Sequence, residues 1–168
     1  MQLEIGDLQL SEHFTLFELT KTNRSEFQAC NRKVSEGQVN KLRNVAVLLE
    51  LCRSSLDAPI IVHSGYRCPD LNRAVGSSDR SQHLLCEAVD FSVKGLDVEH
   101  AFRILRADAH NGRLPFGQLI FEKAARAYGL AEWLHISLGI PYRIASKSGQ
   151  VLTMNEGKYH LMEVIKQA

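Results

Sequence analysis

Three residues with metal-binding side chains stand in two short stretches of the sequence. His83 and Asp90 lie seven positions apart in "SQHLLCEAVDFSV" (residues 81–93), and His135 lies in "AEWLHISLG". Zinc sites for hydrolysis commonly use three ligands from His, Asp and Glu and leave the fourth position to a water molecule. Asp90 is flanked by Val89 and Phe91, and a buried carboxylate is costly unless it is paired or bound to a metal. The three residues are therefore candidate ligands, although each alone also fits a structural histidine or a salt-bridge carboxylate.

Two glutamates are candidates for the general base of such a site. Side chains alternate along a strand, so we expect His135 to point to the face opposite Leu134 and Ile136. Glu132 precedes His135 by three residues, and we expect it to reach the same water molecule. Glu122, at the end of "QLIFE", is the competing candidate. Residue types and spacing alone leave the choice between them open.

The order of these motifs resembles that of a known enzyme family. The strings "SGYRCPDLNRAVGSSDRSQHLLCEAVDFSV" and "WLHISLG" resemble the zinc D-alanyl-D-alanine carboxypeptidases. That family includes vancomycin-resistance D,D-dipeptidases and phage L-alanyl-D-glutamate endopeptidases, and it shares its fold with the hedgehog signalling domain. Its pattern is SGYR, then S-x-H-x(6)-D, then E-x-x-H. The resemblance covers roughly residues 10–143, and "LSEHFTLFELT" near the start resembles the phage and prophage branch.

Carried over to this sequence, the resemblance implies a role for each matching residue. The implied zinc ligands are His83, Asp90 and His135. Glu132 becomes the general base, because its offset from His135 matches the family motif. Arg67, the last residue of SGYR, becomes the cation that binds the substrate and stabilises the oxyanion. Ser81 is a candidate hydrogen-bond partner that orients a ligand.

The resemblance also implies the activity and its setting. We expect a zinc peptidase that hydrolyses peptidoglycan stem peptides with a zinc-activated water molecule. The bond is either D-Ala-D-Ala (a carboxypeptidase) or an internal bond such as L-Ala-D-Glu (an endopeptidase). "MQLEIGDLQLSEHF" has no basic segment followed by an apolar run, so no signal peptide is visible. We therefore expect synthesis in the cytoplasm and delivery to the bacterial cell wall by a phage or prophage, as an endolysin or virion-associated enzyme.

Four cysteines, at positions 30, 52, 68 and 86, form no CxxC pair. We interpret them as reduced thiols, since disulfides are rare in chains that fold in the cytoplasm. Cys86 stands where family members often carry glycine, and Cys68 directly follows Arg67. We expect both to be packed free thiols, and the sequence leaves open whether either touches the site. A cysteine hydrolase that uses Cys86 or Cys68 is an alternative.

The elements that must position these residues follow from periodicity and capping signals. A capping box of Ser35 and Gln38 predicts a helix from about Glu36 to Arg53, and Asp97 predicts a second helix to about Ala109. Strands are predicted at residues 59–65, 86–93, 117–122 and 132–139, with a hairpin around Ser148-Gly149. The "LSEHFTLFELTKT" segment predicts a short helical or irregular lead-in. This order favours an α+β fold with a small, mostly antiparallel sheet and flanking helices, similar to hedgehog and the D,D-peptidases.

Composition narrows the other possibilities. The 168 residues suit a single domain, with a motif-bearing core at about 10–143 and a tail at 144–168. Twenty basic and 19 acidic residues give a net charge of +1, which argues against a nucleic-acid partner. No segment reaches the length of a transmembrane helix, and we expect a monomer. The alternative function is a non-catalytic, zinc-stabilised wall-binding or virion structural protein.

Overall fold

Helices open the chain, strands and helices then alternate, and the C-terminal part is built from strands. The computed structural model describes residues 8–127, 129–139 and 148–166. Its helices are α1 (Leu16–Thr20), α2 (Gln28–Asn31), α3 (Glu36–Leu56), α4 (Pro69–Ala74) and α5 (Val98–His110). Its strands are β1 (Ile60–Ser64), β2 (Ala88–Val93), β3 (Gln118–Arg126), β4 (Gly129–Ser137), β5 (Ser148–Asn155) and β6 (Lys158–Lys166). Two segments discussed above lie outside the described residues: residues 1–7 and residues 144–147. The first begins the N-terminal stretch in which no signal peptide is visible, and the second begins the predicted tail.

Within the described residues, the six strands form one sheet in the order β1-β2-β4-β3-β5-β6. Strands β1–β2, β2–β4, β3–β4 and β5–β6 pair antiparallel, whereas β3 and β5 pair parallel. The sheet is therefore mixed, and the predicted mostly antiparallel sheet needs this correction. Both edges of β4 are already paired, with β2 and β3, so β5 joins the free edge of β3 instead. The α+β class is confirmed.

The capping signals predicted the two long helices well. The Ser35 hydroxyl accepts a hydrogen bond from the Gln38 backbone N–H at 3.3 Å, and the Gln38 side chain accepts one from Ser35 N–H at 2.9 Å. Helix α3 runs three residues past the predicted end at Arg53, to Leu56, and its C-cap Asp57 has φ 47°. Asp97 caps α5 by accepting from His100 N–H at 2.9 Å.

Helix α5 covers one face of the sheet and leaves the other face for polar residues. The Phe102 ring of α5 packs 5.7 Å from the Phe121 ring of β3, measured between centroids. Leu134 pairs with Phe121 across β3 and β4 and is fully buried. Because neighbouring paired residues share a face, Asp90 and His135, which pair across β2 and β4, both point to the side away from α5.

The lead-in segment packs closely against the end of β1. Helix α1 begins with a capping box between Thr15 and Glu18, so the lead-in predicted as helical or irregular contains a short helix. The Leu19 carbonyl accepts a hydrogen bond from Tyr66 N–H at 2.8 Å. A Cβ atom on Gly65 would lie 2.4 Å from the same carbonyl oxygen, so the glycine of SGYR permits this contact.

The C-terminal hairpin turns later than predicted. Glu156 and Gly157 connect β5 and β6 with φ angles of 48° and 79°, the paired positive values of a type I′ turn. Gly149 instead lies within β5, where a Cβ would meet the Phe116 ring at 2.4 Å. The prediction of a turn at Ser148-Gly149 is therefore wrong, because packing on Phe116 explains that glycine. Among the described residues, no helix has the length and apolar character to cross a membrane.

Candidate metal centre

His83, Asp90 and His135 meet on the face of the sheet opposite α5. Asp90 Oδ1 lies 3.2 Å from His83 Nε2 and 2.9 Å from His135 Nδ1. One ligand atom from each of the three residues falls within 4.8 Å of the others, and all three side chains are buried. Strands β2 and β4 supply Asp90 and His135 side by side, and the loop before β2 supplies His83.

The orientation of His83 is set by the SGYR segment. His83 Nδ1 lies 2.7 Å from the Gly65 carbonyl oxygen, so Nδ1–H donates and the Nε2 lone pair faces Asp90. Hydrogen bonds of this kind select the tautomer of metal-binding histidines. Burial lowers the pKa of His83, and Asp90 only partly opposes that shift. The ring is therefore neutral at pH 7, as a metal ligand must be.

Asp90 is held as a carboxylate by the groups around it. Burial alone would raise its pKa, but the electrostatic effect of the neighbouring His83 and His135 rings outweighs burial and places the pKa well below its ordinary value. Its second oxygen, Oδ2, accepts a hydrogen bond from Arg67 Nη2. Arg67 Nε in turn donates to Ser64 Oγ at 2.8 Å. The predicted cation and the three predicted ligands thus form one cluster.

The donor set fits zinc. Two imidazole nitrogens and one carboxylate oxygen are ordinary zinc ligands, and three protein ligands leave a position for water, as in catalytic sites. Calcium and magnesium prefer oxygen-only surroundings. The side chains within ion-binding distance, two of them imidazoles, favour zinc over those cations.

Residues next to the ligands orient them, and one of these was missed in the sequence. Ser81 Oγ accepts a hydrogen bond from the His83 backbone N–H at 3.3 Å. Ser81 therefore contacts a proposed ligand residue, but at the backbone of His83 and not at its imidazole ring. Gln82 Oε1 lies 3.1 Å from His135 Nε2 and accepts the proton on that nitrogen. The only signal for Gln82 was a polar side chain adjacent to a proposed ligand.

The two candidate bases lie on opposite faces of the sheet. Glu132 pairs with Lys123 across β3 and β4, and its carboxylate lies 2.7 Å from Lys123 Nζ, which sits over the Phe121 ring on the α5 side. Part of Glu132 lines the cleft, but its carboxylate is engaged by Lys123. This placement argues against the predicted role of Glu132, because an offset of three residues along a strand reverses the face.

Glu122 shares the face of the ligands. It pairs with Trp133 in the register that pairs Ile120 with His135, and it is 7% exposed. Burial, followed by the charge of Asp90, raises the pKa of Glu122 to about 7, against a smaller opposing effect of His135 and Arg67. A carboxylate with a pKa near the working pH has the property of an efficient general base.

An open cleft of about 1250 Å³ lies over the cluster. The sheet contributes Glu122, Trp133 and, from the C-terminal hairpin, Leu152 and Tyr159 to its lining. The end of the lead-in, the residues just after it and the loop before His83 contribute three cations to the lining: Lys21, Arg24 and Arg80. His63 also lines the cleft, and its Nε2 lies 2.8 Å from Ser92 Oγ.

The cysteines differ from the interpretation made from sequence. Cys30 and Cys68 form a disulfide, so these two are not reduced thiols, and their separation of 38 residues gave no local signal. Cys52 and Cys86 are free and buried. Cys86 has φ 59°, a conformation that favours glycine and explains why glycine suits this position. Burial raises the pKa of Cys86 to about 12, which argues against a thiolate nucleophile.

Comparison with known proteins identifies the family of the chain. The sequence matches the family model described as Peptidase M15 over residues 12–124, which is more than half of the chain. The protein therefore belongs to the M15 peptidases, a family of zinc-dependent metallopeptidases. No curated protein matches the chain.

Proposed function

We propose that this protein is a zinc peptidase that hydrolyses stem peptides of bacterial peptidoglycan. The observation that carries the proposal is the buried cluster of His83, Asp90 and His135 beneath an open cleft in a chain of the M15 family. In this proposal these three side chains hold the zinc ion.

The remaining residues of the site divide the catalytic work. A bound zinc ion lowers the pKa of its water molecule toward ~7 and polarises a substrate carbonyl. Glu122, rather than Glu132, accepts a proton during attack and returns it to the leaving amine. The Arg67 guanidinium, held by Ser64 and Asp90, donates hydrogen bonds to the oxygen that becomes negative.

The cleft favours an internal bond of the stem peptide over a terminal dipeptide. Its volume of about 1250 Å³ exceeds the roughly 300–1,000 Å³ of sites for drug-sized ligands, so it accommodates residues on both sides of the scissile bond. Lys21, Arg24 and Arg80 line it and suit a substrate that carries carboxylates. We therefore propose an endopeptidase, with L-Ala-D-Glu as the first bond to test and phage or prophage delivery to the wall.

Substitution of Arg67 separates the two activities. A lysine cannot reproduce the paired hydrogen bonds of a guanidinium. If Arg67 stabilises the oxyanion of an internal bond, Arg67→Lys lowers kcat, and amidation of the substrate's C-terminus changes little. A large rise in KM together with a strict need for a free terminal carboxylate would instead indicate a carboxypeptidase.

The proposal is tested by digesting purified muropeptides and identifying the products by mass spectrometry. We expect the zinc-loaded protein to release fragments cut within the stem peptide, a chelator to stop the release, and added zinc to restore it. Binding to the wall without any product would favour the non-catalytic alternative. Turnover that survives complete removal of zinc would overturn the proposal.

A further inference from the structure

Arg67 lies in a backbone segment that is held from both sides by one buried side chain. Asn31 Nδ2 donates to the Tyr66 carbonyl at 3.0 Å, and Asn31 Oδ1 accepts from Cys68 N–H at 2.7 Å. Tyr66 and Cys68 are the two neighbours of Arg67. A single amide group, on a residue with no exposed surface, therefore fixes the peptide groups before and after Arg67.

The same amide ties this segment to the lead-in. Asn31 Nδ2 also donates to the Thr20 carbonyl at 2.7 Å, at the end of α1. Two donors and one acceptor of the side chain are thus used, each on a backbone group. Replacing this buried amide is costly, because its three backbone partners would each be left without a hydrogen bond.

A covalent link reinforces the contact. Cys30, the neighbour of Asn31, is bonded to Cys68, the neighbour of Arg67. The disulfide and the Asn31 amide therefore join the same two backbone segments at adjacent positions. Neither Cys30 nor Asn31 was singled out as a site residue in the sequence.

The position of the Arg67 guanidinium depends on the backbone at residues 66–68, because its hydrogen bonds require the side chain to start from one place. Its backbone N–H donates to the His83 carbonyl at 3.2 Å, and its guanidinium reaches both Ser64 Oγ and Asp90 Oδ2. We propose that Asn31, reinforced by the Cys30–Cys68 disulfide, is a positioning residue that holds Arg67 at the metal centre. The catalytic consequence rests on the function proposed above.

A double-mutant cycle tests whether Asn31 acts through Arg67. Asn31→Ala in the zinc-loaded protein lowers muropeptide hydrolysis by about 10- to 100-fold, the usual loss when a residue that orients catalytic groups is removed. The loss is divided between kcat and KM in the same ratio as for Arg67→Lys, and the zinc content stays at the wild-type level. In an Arg67→Ala background, Asn31→Ala has almost no further effect. Full multiplication of the two losses would overturn the proposal.

Asn72 provides the matched control. It is also buried, and its amide donates to the Ser77 and Ser78 carbonyls rather than to the neighbours of Arg67. The losses caused by Asn72→Ala and Arg67→Ala should multiply. A purely structural role for Asn31 would make it behave like Asn72 in the cycle.

Two further measurements keep the proposal testable. If Asn31→Ala does not fold, the pair Cys30→Ser and Cys68→Ser replaces it, and the same dependence on Arg67 is expected. If the wild type hydrolyses no muropeptide, the proposed function fails, but hydrogen exchange still tests the positioning. Asn31→Ala should then accelerate exchange at the amides of residues 66–68, whereas Asn72→Ala should not. Unchanged exchange at those amides in the folded variant would overturn the proposal by itself.

Discussion

Glu122 and Glu132 illustrate how one step of strand parity decides which face of the sheet a side chain occupies. The E-x-x-H spacing selected Glu132, yet residues three apart on a strand point to opposite faces. His135 and Glu122 share the face of the metal centre, while the Glu132 carboxylate pairs with Lys123 on the α5 side. The alternation of side chains along a strand predicts that His135 and Leu134 point to opposite faces. The same rule puts Glu132 on the face of Leu134, but the sequence interpretation followed the family motif instead.

Exchange of each glutamate for glutamine tests the assignment. Glu122→Gln retains shape but removes basicity, so hydrolysis should fall by roughly 10²–10⁴-fold while zinc is retained. Glu132→Gln is the matched control and should leave the rate within about threefold, since its carboxylate is engaged by Lys123 and a partly exposed ion pair contributes little. Rates are measured on muropeptides at saturating zinc. A large loss for Glu132→Gln with a small one for Glu122→Gln would restore the original assignment.

The raised pKa of Glu122 predicts a pH-dependent stability in the chelator-treated protein. Its pKa rises from 4.5 to about 7 on folding, so the folded state binds the proton more tightly than the unfolded state. The resulting stability is fully present below pH 4.5 and is lost as the pH rises to about 7, by an amount on the order of 3 kcal/mol.

Glu122→Gln isolates this contribution. The difference in unfolding free energy between wild type and variant, from denaturant titrations at several pH values, should shift in favour of the variant as pH rises through this window. A difference that stays constant from pH 4 to roughly 8 would show that Glu122 is not buried as described.

At the scale of elements, helix boundaries could be predicted better than turns and cross-links. Ser35, Gln38 and Asp97 form local capping contacts that their sequence pattern already contains. The hairpin turn was misplaced because Gly149 is explained by packing on Phe116, a residue distant in sequence. The Cys30–Cys68 disulfide joins residues 38 apart, and no local pattern signals such a contact.

Contact between α1 and the SGYR segment predicts a strict need for glycine at position 65. A Cβ at Gly65 would meet the Leu19 carbonyl oxygen at 2.4 Å and two other Leu19 backbone atoms at 3.0 Å. Gly65→Ala should therefore destabilise the protein by about 1–3 kcal/mol. It should also lower activity, because displacing residue 65 moves the backbone carbonyl that accepts the hydrogen bond from His83 Nδ1.

Gly37 in α3 is the matched control for this substitution. A Cβ there would meet nothing within 4 Å, so Gly37→Ala should leave stability unchanged or raise it by up to about 1 kcal/mol. Thermal or denaturant unfolding of both variants measures the contrast. Equal effects of the two substitutions would mean that α1 does not pack on Gly65 as described.

At the scale of the whole molecule, the sheet serves as the platform of the site. One face packs on α5 and forms the core, and the other carries the metal centre and the cleft. The sequence order of strands predicted the α+β class, but the parallel pairing of β3 with β5 depends on which strand edges remain free. Long-range pairing of this kind has no local signal, which is why the mixed sheet and the contribution of Tyr159 to the cleft were not predicted.

The zinc content of the purified protein tests the central claim most directly. Elemental analysis should find about one zinc ion per wild-type chain, as expected for a mononuclear site. His83→Ala and His135→Ala should each lose most of it, whereas His100→Ala, an exposed histidine on α5, should keep it. Full zinc in both the His83→Ala and His135→Ala variants would contradict the assignment of this cluster as the metal centre.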